Sequence, residues 1–222
     1  MMKIFRRKML RLLGFPKTLL FNFRYLPFSD AIKLPFAVSH RVWLMELGGR
    51  VSISGEISSG MIEIGFGEVG IFDQNRSRTI WQVSGEVEFG GPANIGHGSR
   101  LSVSGRLRLG KNFKITAESS LVATKEIVIG DDVLFSWDVL VLDTDFHPVL
   151  DAAGKRLNPD IPVIIGDRVW VGCRALLLKG VSLADGVVIA AGSVVSRPVD
   201  TGNSVAGGNP AAVLKENITW QR

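Results

Sequence analysis

A histidine flanked by acidic residues is the first candidate for acid–base chemistry in this chain. His147 follows Asp145 by two residues and Asp143 by four, and Pro148 comes directly after it. A neutral imidazole accepts a proton near pH 7, and a nearby carboxylate can hold its other ring nitrogen in the required tautomer. In an extended segment the three side chains project to the same side, so either aspartate is a candidate to orient the ring. The pattern predicts that His147 is a general base.

The other residues that could bind protons or metals are dispersed. We expect His97 at a surface corner and His40 in a structural position. Cys173 is the only cysteine, which excludes a disulfide framework and a multi-cysteine zinc or iron–sulfur site. The three histidines lack the paired spacing of a zinc site, so we predict that no metal is required.

Apolar residues recur every six positions between residues 165 and 199. The first position of each hexad is aliphatic, the fifth is small or β-branched, and the second is mostly small. A period of six differs from the α-helical period and from simple strand alternation, and it fits a strand of about five residues followed by a corner. The first positions are Ile165, Val171, Leu177, Leu183, Ile189 and Val195, and the fifth positions are Val169, Ala175, Val181, Val187, Ser193 and Val199.

Three hexads close a triangular coil, and coils that stack at a strand spacing of ~4.8 Å bury one continuous apolar column. The pattern extends backward with longer coils that begin at Phe89, Leu109 and Ile129. An antiparallel sandwich would instead alternate with period two. We therefore predict an all-β fold, a parallel β-helix over residues 43–205 with a C-terminal segment at 206–222. The hexads stop at residues 143–164, and such excursions from a rigid scaffold often carry function.

Residues 1–42 form a basic, aromatic N-terminal arm that differs from the rest of the chain. Residues 1–29 contain seven basic residues and no acidic residue, so the remainder is close to neutral. The prolines of residues 1–42 predict a short helical arm whose turns break at each proline. We interpret the arm as a cap on the end of the column. Contact with an anionic membrane surface is a compatible alternative.

Charge and hydropathy limit the partners and the location. Because the basic residues are concentrated in the arm, we predict no nucleic-acid partner. No apolar run reaches the length of a bilayer span. The apolar stretch from Met9 to Leu13 is interrupted by Arg11 and makes a poor secretory signal. We therefore expect a cytoplasmic protein, with contact at the inner face of the membrane left open.

The hexads, the His147–Pro148 pair and the segments 165–172, 188–195 and 206–211 resemble the hexapeptide-repeat acyltransferases. The similarity is strongest to the maltose and galactoside O-acetyltransferases and to acetyltransferases of capsule, lipopolysaccharide and exopolysaccharide synthesis. This resemblance implies a left-handed parallel β-helix and acetyl-CoA as the donor. It also implies a homotrimer with three active sites, each in a groove between neighbouring subunits.

The resemblance also implies roles for individual residues. His147 takes the place of the catalytic base, and Arg197 and Lys215 would meet the phosphates of the coenzyme. The acceptor pocket would contain Thr116 and Glu118. The sugar acetyltransferases have an asparagine where Thr116 stands, so a free disaccharide is not the expected acceptor. The positions that line the CoA channel in the family correspond to Trp170, Cys173, Ala191, Ser196, Arg197 and Lys215.

The predicted function is an acetyl-CoA-dependent O-acetyltransferase that acts on a sugar hydroxyl in polysaccharide synthesis. An N-acetyltransferase acting on an amino sugar is the first alternative. A metalloenzyme of the γ-carbonic anhydrase type is a second, although the histidine spacing does not favour it. A non-catalytic β-helix scaffold is a third, and it gives no reason for the loop at 143–164.

Overall fold

Parallel strands wind around a single column. The computed structural model describes residues 2–67, 69–73 and 76–222, with the side chains of the first helix described from residue 9 onward. The helices are α1 (Met2–Tyr25) and α2 (Phe28–Ala31), and the strands are β1 (Phe36–Val38), β2 (Trp43–Glu46), β3 (Arg50–Ile53), β4 (Ile62–Phe66), β5 (Ile80–Val83), β6 (Glu86–Phe89), β7 (Ala93–Gly96), β8 (Arg100–Val103), β9 (Arg106–Leu109), β10 (Phe113–Ala117), β11 (Ser120–Ala123), β12 (Glu126–Ile129), β13 (Leu134–Trp137), β14 (Leu140–Leu142), β15 (Val163–Ile165), β16 (Trp170–Val171), β17 (Leu176–Leu177), β18 (Ser182–Leu183), β19 (Val188–Ile189), β20 (Val194–Val195), β21 (Val205–Gly208) and β22 (Ala211–Lys215).

Three sheets form the sides of the column. Within the described residues, sheet A has the order β1-β4-β7-β10-β13-β16-β19-β21-β22, sheet B has β2-β5-β8-β11-β14-β17-β20, and sheet C has β3-β6-β9-β12-β15-β18. Each coil runs from sheet A to sheet B to sheet C, so the column has an A–B corner, a B–C corner and a C–A corner. This architecture is the left-handed parallel β-helix expected from the sequence.

The interior of the column is built by the residues that the hexads place inward. The first-position residues from Ile165 to Val195 are at most 3% exposed, and Val199 at a fifth position is 4% exposed. Parallel register stacks equivalent side chains, so Ile115 lies beside Phe135 and Phe135 lies beside Val171. Each aliphatic side chain buried in this way contributes about 1.5–3 kcal/mol. The prediction of an apolar column is confirmed.

Small residues at the B–C corner let consecutive coils approach closely. A Cβ atom added to Gly105 would lie 2.4 Å from the carbonyl oxygen of Lys125, and one added to Gly85 would lie 2.1 Å from the carbonyl oxygen of Gly105. Real Cβ atoms do not approach a carbonyl oxygen this closely. The two glycines are therefore required by close backbone approach, which explains why glycine recurs at this point of successive coils.

A single long helix forms most of the basic arm. The expectation of short turns broken at each proline is wrong, because Pro16 lies inside α1. An interior proline removes one backbone hydrogen bond and crowds the preceding turn, but packing of one face of α1 against β1 offsets that cost. The helix ends at Tyr25, shortly before Pro27, where proline restricts the residue that precedes it. In the described part of the chain no helix combines the length and the apolarity needed to cross a membrane.

Aromatic rings join α1 to the first coils of the column. Phe21 is fully buried, and its ring lies 5.0 Å from that of Phe36 and 4.9 Å from that of Trp81, both in edge-to-face geometry. The indole Nε1 of Trp81 donates a hydrogen bond to the Tyr25 hydroxyl at 3.1 Å. Such ring pairs contribute about 0.5–1.5 kcal/mol beyond the area that they bury. The arm therefore covers the N-terminal end of the apolar column.

Polar side chains of α1 satisfy the free edge of β1. The Asn22 amide donates to the Phe36 carbonyl at 2.8 Å and accepts from the Phe36 N–H at 3.1 Å. The Thr18 hydroxyl accepts from the Val38 N–H at 2.9 Å. Because these bonds replace those of a missing strand, α1 protects an edge that would otherwise invite pairing.

The column is longer at both ends than the boundaries expected from the sequence. Strand β1 begins at Phe36 and pairs with β4, so the first strand precedes the expected start at residue 43. Strand β21 pairs with β19, and β22 returns beside it in antiparallel direction. The first part of the segment 206–222, up to Lys215, therefore continues sheet A. The terminal strands lack complete hexads, which is why the repeat did not reveal them.

Candidate active site

The loop that carries His147 leaves the column at a buried carboxylate. Strand β15 begins at Val163, so this histidine loop comprises residues 143–162. Asp143 is fully buried, and its Oδ1 accepts from the Thr124 N–H and from the Thr124 hydroxyl, both at 2.9 Å. Its Oδ2 accepts from the N–H groups of Lys125 at 2.8 Å and Glu126 at 2.7 Å. Asp143 thus ties the start of the loop to the B–C corner of the preceding coil.

Backbone hydrogen bonds hold His147 in place while its ring faces solvent. The His147 N–H donates to the Asp145 carbonyl at 2.6 Å, and the His147 carbonyl accepts from the Asn158 side-chain amide at 2.9 Å. Phe146, between them, has φ +60°, a left-handed conformation that is uncommon for a bulky residue. The side chain of His147 is exposed. The local fold therefore presents an imidazole on a constrained backbone.

Asn158 and Lys179 hold the loop together from its other end. The Asn158 amide donates to Asp145 Oδ2 at 2.7 Å, and its Oδ1 accepts from the Val149 N–H at 2.6 Å. The Lys179 ammonium donates to the same Oδ2 of Asp145 and to the Pro159 carbonyl. Hydrogen bonds from Lys179 and Asn158 lower the pKa of Asp145 below its usual value. Sequence reasoning missed both partners, since they lie 13 and 34 residues from Asp145.

The expected pairing of His147 with a neighbouring carboxylate is corrected by this geometry. Asp143 points into the column corner and Asp145 points toward Lys179 and Asn158. In the portion of the chain that the structure describes, no hydrogen bond joins either carboxylate to the His147 ring. The extended-strand argument failed because the chain turns sharply at Phe146. In this chain both aspartates therefore bond to the loop and to the neighbouring coils, and neither bonds to the imidazole.

Replacing Lys179 with Met is expected to raise the pKa of Asp145 toward its ordinary value. The substitution removes an ammonium donor and a positive charge and keeps the aliphatic stem. The stability that the ionised Asp145 contributes is present above its unfolded pKa and is lost as the pH falls through its lower folded pKa, so the variant loses this contribution. NMR titration of the Asp145 carboxyl measures the shift. Lys155→Met, an exposed lysine of the same loop, is the matched control and should leave the pKa unchanged.

The residues expected to bind the coenzyme lie on different corners of one chain. Cys173 and Ala191 follow β16 and β19, so both lie at the A–B corner, where the Gly192 N–H donates to the Cys173 carbonyl at 2.9 Å. Ser196 and Arg197 follow β20 and lie at the B–C corner. That corner also carries the histidine loop. A single chain therefore presents one group at the corner that carries the histidine loop and the other group at a separate corner.

Trp170 and Lys215 occupy a third place, on the outer face of sheet A. The Trp170 indole donates to the Ser136 hydroxyl at 3.1 Å. Its ring also lies 5.9 Å from that of Trp220, whose Nε1 donates to the Arg168 carbonyl at 2.7 Å. Sequence reasoning missed Trp220, because an isolated tryptophan near the C-terminus carries no periodic signal. The C-terminal segment thus folds back and covers part of the face that holds Trp170.

The expected acceptor residues lie at the A–B corner. Thr116 is in β10, and its hydroxyl is buried without a hydrogen-bond partner among the described residues. Glu118 follows β10 with φ +52°, and its carboxylate accepts from Arg100 at 3.1 Å. Neither side chain is on the corner that carries His147 in the same chain. Their proximity to His147 would require a second chain.

His97 is buried, contrary to the expected surface position. It is 6% exposed, and the ring of Phe72 lies 6.1 Å from its imidazole. Phe72 belongs to the insertion between β4 and β5, and its ring lies at this corner. His40 lies before β2, so the three histidines are on separate coils.

Known proteins share this repeat and this fold. Residues 162–197 match the family described as the hexapeptide repeat of succinyl-transferase. The chain is 35% identical over 126 residues to a polysialic acid O-acetyltransferase of Escherichia coli O1:K1, covering 56% of this chain and 39% of the relative. It is 33% identical over 117 residues to the galactoside O-acetyltransferase of Escherichia coli K12, covering 52% of this chain and 57% of the relative.

A solved structure agrees with the architecture. The crystal structure of the polySia specific acetyltransferase NeuO superposes with a TM-score of 0.51 at 26% identity, covering 84% of this chain and 79% of that one. The matches to the two curated relatives span only about two fifths and three fifths of their lengths. The similarity is therefore established for the repeat region.

Proposed function

We propose that this chain is a hexapeptide-repeat acyltransferase, and that it transfers an acetyl group from acetyl-CoA to a hydroxyl group of a sugar. The observation that carries the proposal is the presentation of His147. An exposed imidazole is held on a constrained backbone in the long loop between β14 and β15, and hydrogen bonds of Asp143 and Lys179 fasten that loop to the column. The similarity to named O-acetyltransferases supports the same reaction.

The proposed transfer is direct. His147 removes the proton from the acceptor hydroxyl while the oxygen attacks the thioester carbonyl. The carbon–sulfur bond then breaks, CoA leaves as a thiolate, and the imidazolium returns the proton to it. The products are the acetyl ester and CoA, and the reaction requires neither a metal nor a covalent intermediate on Cys173. A backbone N–H group would stabilise the oxyanion.

A second copy of the chain completes the proposed site. Since His147 and Arg197 lie at the B–C corner while Ala191, Thr116 and Glu118 lie at the A–B corner, apposition of these two corners from neighbouring subunits would form a groove. Three identical subunits arranged around an axis satisfy this head-to-tail contact and close the ring. We therefore propose a homotrimer with one site in each of its three clefts, located on the cytoplasmic side of the membrane.

The coenzyme would lie along that groove. Arg197 is exposed at the B–C corner, which also carries the histidine loop, and is suited to the CoA phosphates through charge-assisted hydrogen bonds. Ala191 and the adjacent Gly192 leave the backbone accessible to a narrow pantetheine arm. Exposed Lys215 and the half-exposed ring of Trp170 offer a further charge and an aromatic surface for the nucleotide end.

The proposed acceptor is a sugar unit of a polysaccharide or of its precursor. Two relatives are named for polysialic acid and galactoside acetylation, and both names describe carbohydrate hydroxyl acceptors. Thr116 and Glu118 lie at the end of β10 and just after it, near the cleft where a sugar would bind, although in the single chain the Thr116 hydroxyl is buried and the Glu118 carboxylate is paired with Arg100. An amino-sugar acceptor would require the same base and the same coenzyme groove, so the assay must compare the two.

Incubation of the purified protein with acetyl-CoA and a panel of carbohydrate acceptors tests the proposal. We expect CoA release, measured by chromatography, together with an acceptor mass increased by one acetyl group. Matched acceptors that differ only in an amino or a hydroxyl group distinguish N-acetylation from O-acetylation. If calorimetry detects no binding of acetyl-CoA and no acceptor is acetylated, the chain is a scaffold rather than an enzyme.

A further inference from the structure

The outer face of helix α1 is apolar and uncovered. Leu12 is 74% exposed, and Leu13 and Leu20 are each 54% exposed. Met9 and Phe23 extend the same face in both directions and are also about half exposed. Scattered exposed apolar residues need no explanation, but a contiguous patch of this kind marks an interaction surface.

These residues form one face because of helical geometry. At 100° per residue, positions 9, 12, 13, 20 and 23 fall on the side opposite the buried residues Thr18, Phe21 and Asn22. The face continues past the end of the helix, since the exposed Phe28 ring lies 5.9 Å from that of Phe23. We call this continuous surface, Met9 to Phe28, the apolar face of the arm.

Positive charge accompanies the apolar face. Residues 1–29 contain seven basic residues, and the first acidic residue is Asp30. Arg11 and Lys17 are used internally, because Arg11 bonds to Glu63 and Lys17 donates to the carbonyls of His40 and Val42. The other five basic residues add to the positive charge of this segment of the sequence: Lys3, Arg6, Arg7, Lys8 and Arg24.

We propose that the apolar face of the arm lies in the surface of an anionic phospholipid bilayer. An amphipathic helix with a wide apolar face and basic flanks binds such a surface through both burial and charge. Self-association through the same face would bring two strongly basic segments together, which their mutual repulsion disfavours. Lipid is therefore the occupant that fits.

Flotation of the full chain with phospholipid vesicles tests this inference without relying on any enzymatic activity. We expect the protein to bind vesicles that contain phosphatidylglycerol and to remain unbound with pure phosphatidylcholine. High salt should weaken binding, because it screens the charge attraction. The variant Leu12→Ser/Leu20→Ser should lose about tenfold or more of its affinity. Both residues are exposed, so its melting temperature and its turnover of a soluble acceptor should match those of the wild type.

A matched control removes exposed apolar residues elsewhere. Ile71→Ser/Ile164→Ser alters side chains that are 66% and 42% exposed and lie outside the arm, and it should bind vesicles like the wild type. Equal binding to neutral and anionic vesicles, or unchanged binding by Leu12→Ser/Leu20→Ser, overturns the inference. A change in oligomeric state caused by Leu12→Ser/Leu20→Ser, with no vesicle binding by the wild type, would instead identify the face as a contact between copies.

Discussion

Replacing His147 with Ala is expected to lower the turnover of acetyl transfer by about 10²–10⁴-fold. The proposed reaction begins with removal of a proton from a hydroxyl group, and His147 is the exposed base that the loop presents. The melting temperature should stay within about one degree of the wild type, because surface substitutions away from packed contacts change stability little. Steady-state kinetics with saturating acetyl-CoA measure the loss.

A control variant in the same loop makes that result specific to His147. Leu157→Ala removes an exposed side chain from the same loop and should preserve turnover. If a general disturbance of the loop caused the loss, the Leu157→Ala variant would also lose turnover. Turnover of His147→Ala equal to that of the wild type would remove His147 from the mechanism.

Mixing two inactive variants tests whether neighbouring subunits share the site. Ala191→Trp fills the proposed path of the pantetheine arm, and His147→Ala removes the base. Co-expressed subunits would form mixed trimers. In some clefts, the B–C corner with an intact His147 would face an A–B corner with an intact Ala191. Recovery of a measurable fraction of wild-type turnover supports shared sites, whereas a mixture as inactive as its components shows that each chain contains its own site.

The column could be predicted from the sequence because residues of the same type recur every six positions. Every coil repeats the same inward positions. Ile165, Val171 and Leu177 are therefore buried, and so are the equivalent residues of the next coil. Local spacing then determines the long-range contacts. The first strand escaped prediction since Phe36–Val38 is a single short strand, and its partner Asn22 supplies bonds that no repeat reveals.

The environment of His147 could not be predicted in the same way. Sequence proximity suggested Asp143 and Asp145 as partners of the ring, but tertiary contacts direct both carboxylates elsewhere. Lys179 comes from the following coil, and its distance along the chain gives no local signal. The sequence therefore identifies a histidine on an irregular loop as a candidate base. The contacts that support this loop depend on how it folds back onto the column, and the sequence does not reveal them.

Substitution of Asp143 by Ala is expected to destabilise the fold by about 3 kcal/mol or more and to reduce turnover together with stability. The change leaves the N–H groups of Thr124, Lys125 and Glu126 without their acceptor, and each buried donor that loses its partner costs about 1–3 kcal/mol. The loop would also lose the attachment at its start. Chemical unfolding followed by circular dichroism measures the free energy of unfolding.

The Asn variant separates hydrogen bonding from side-chain volume. Asp143→Asn keeps the shape, but its NH₂ group must face either the Thr124 N–H or the pair of N–H groups from Lys125 and Glu126, so some donors remain unpaired. Its loss of stability should therefore be smaller than that of Asp143→Ala and still clearly measurable. Asp151→Asn is the matched control, since Asp151 Oδ1 accepts hydrogen bonds from the backbone N–H groups of Ala153 and Lys155 in an exposed turn of the same loop. This variant should lose little stability. If Asp143→Ala unfolds like the wild type, water replaces the carboxylate and the anchor is dispensable.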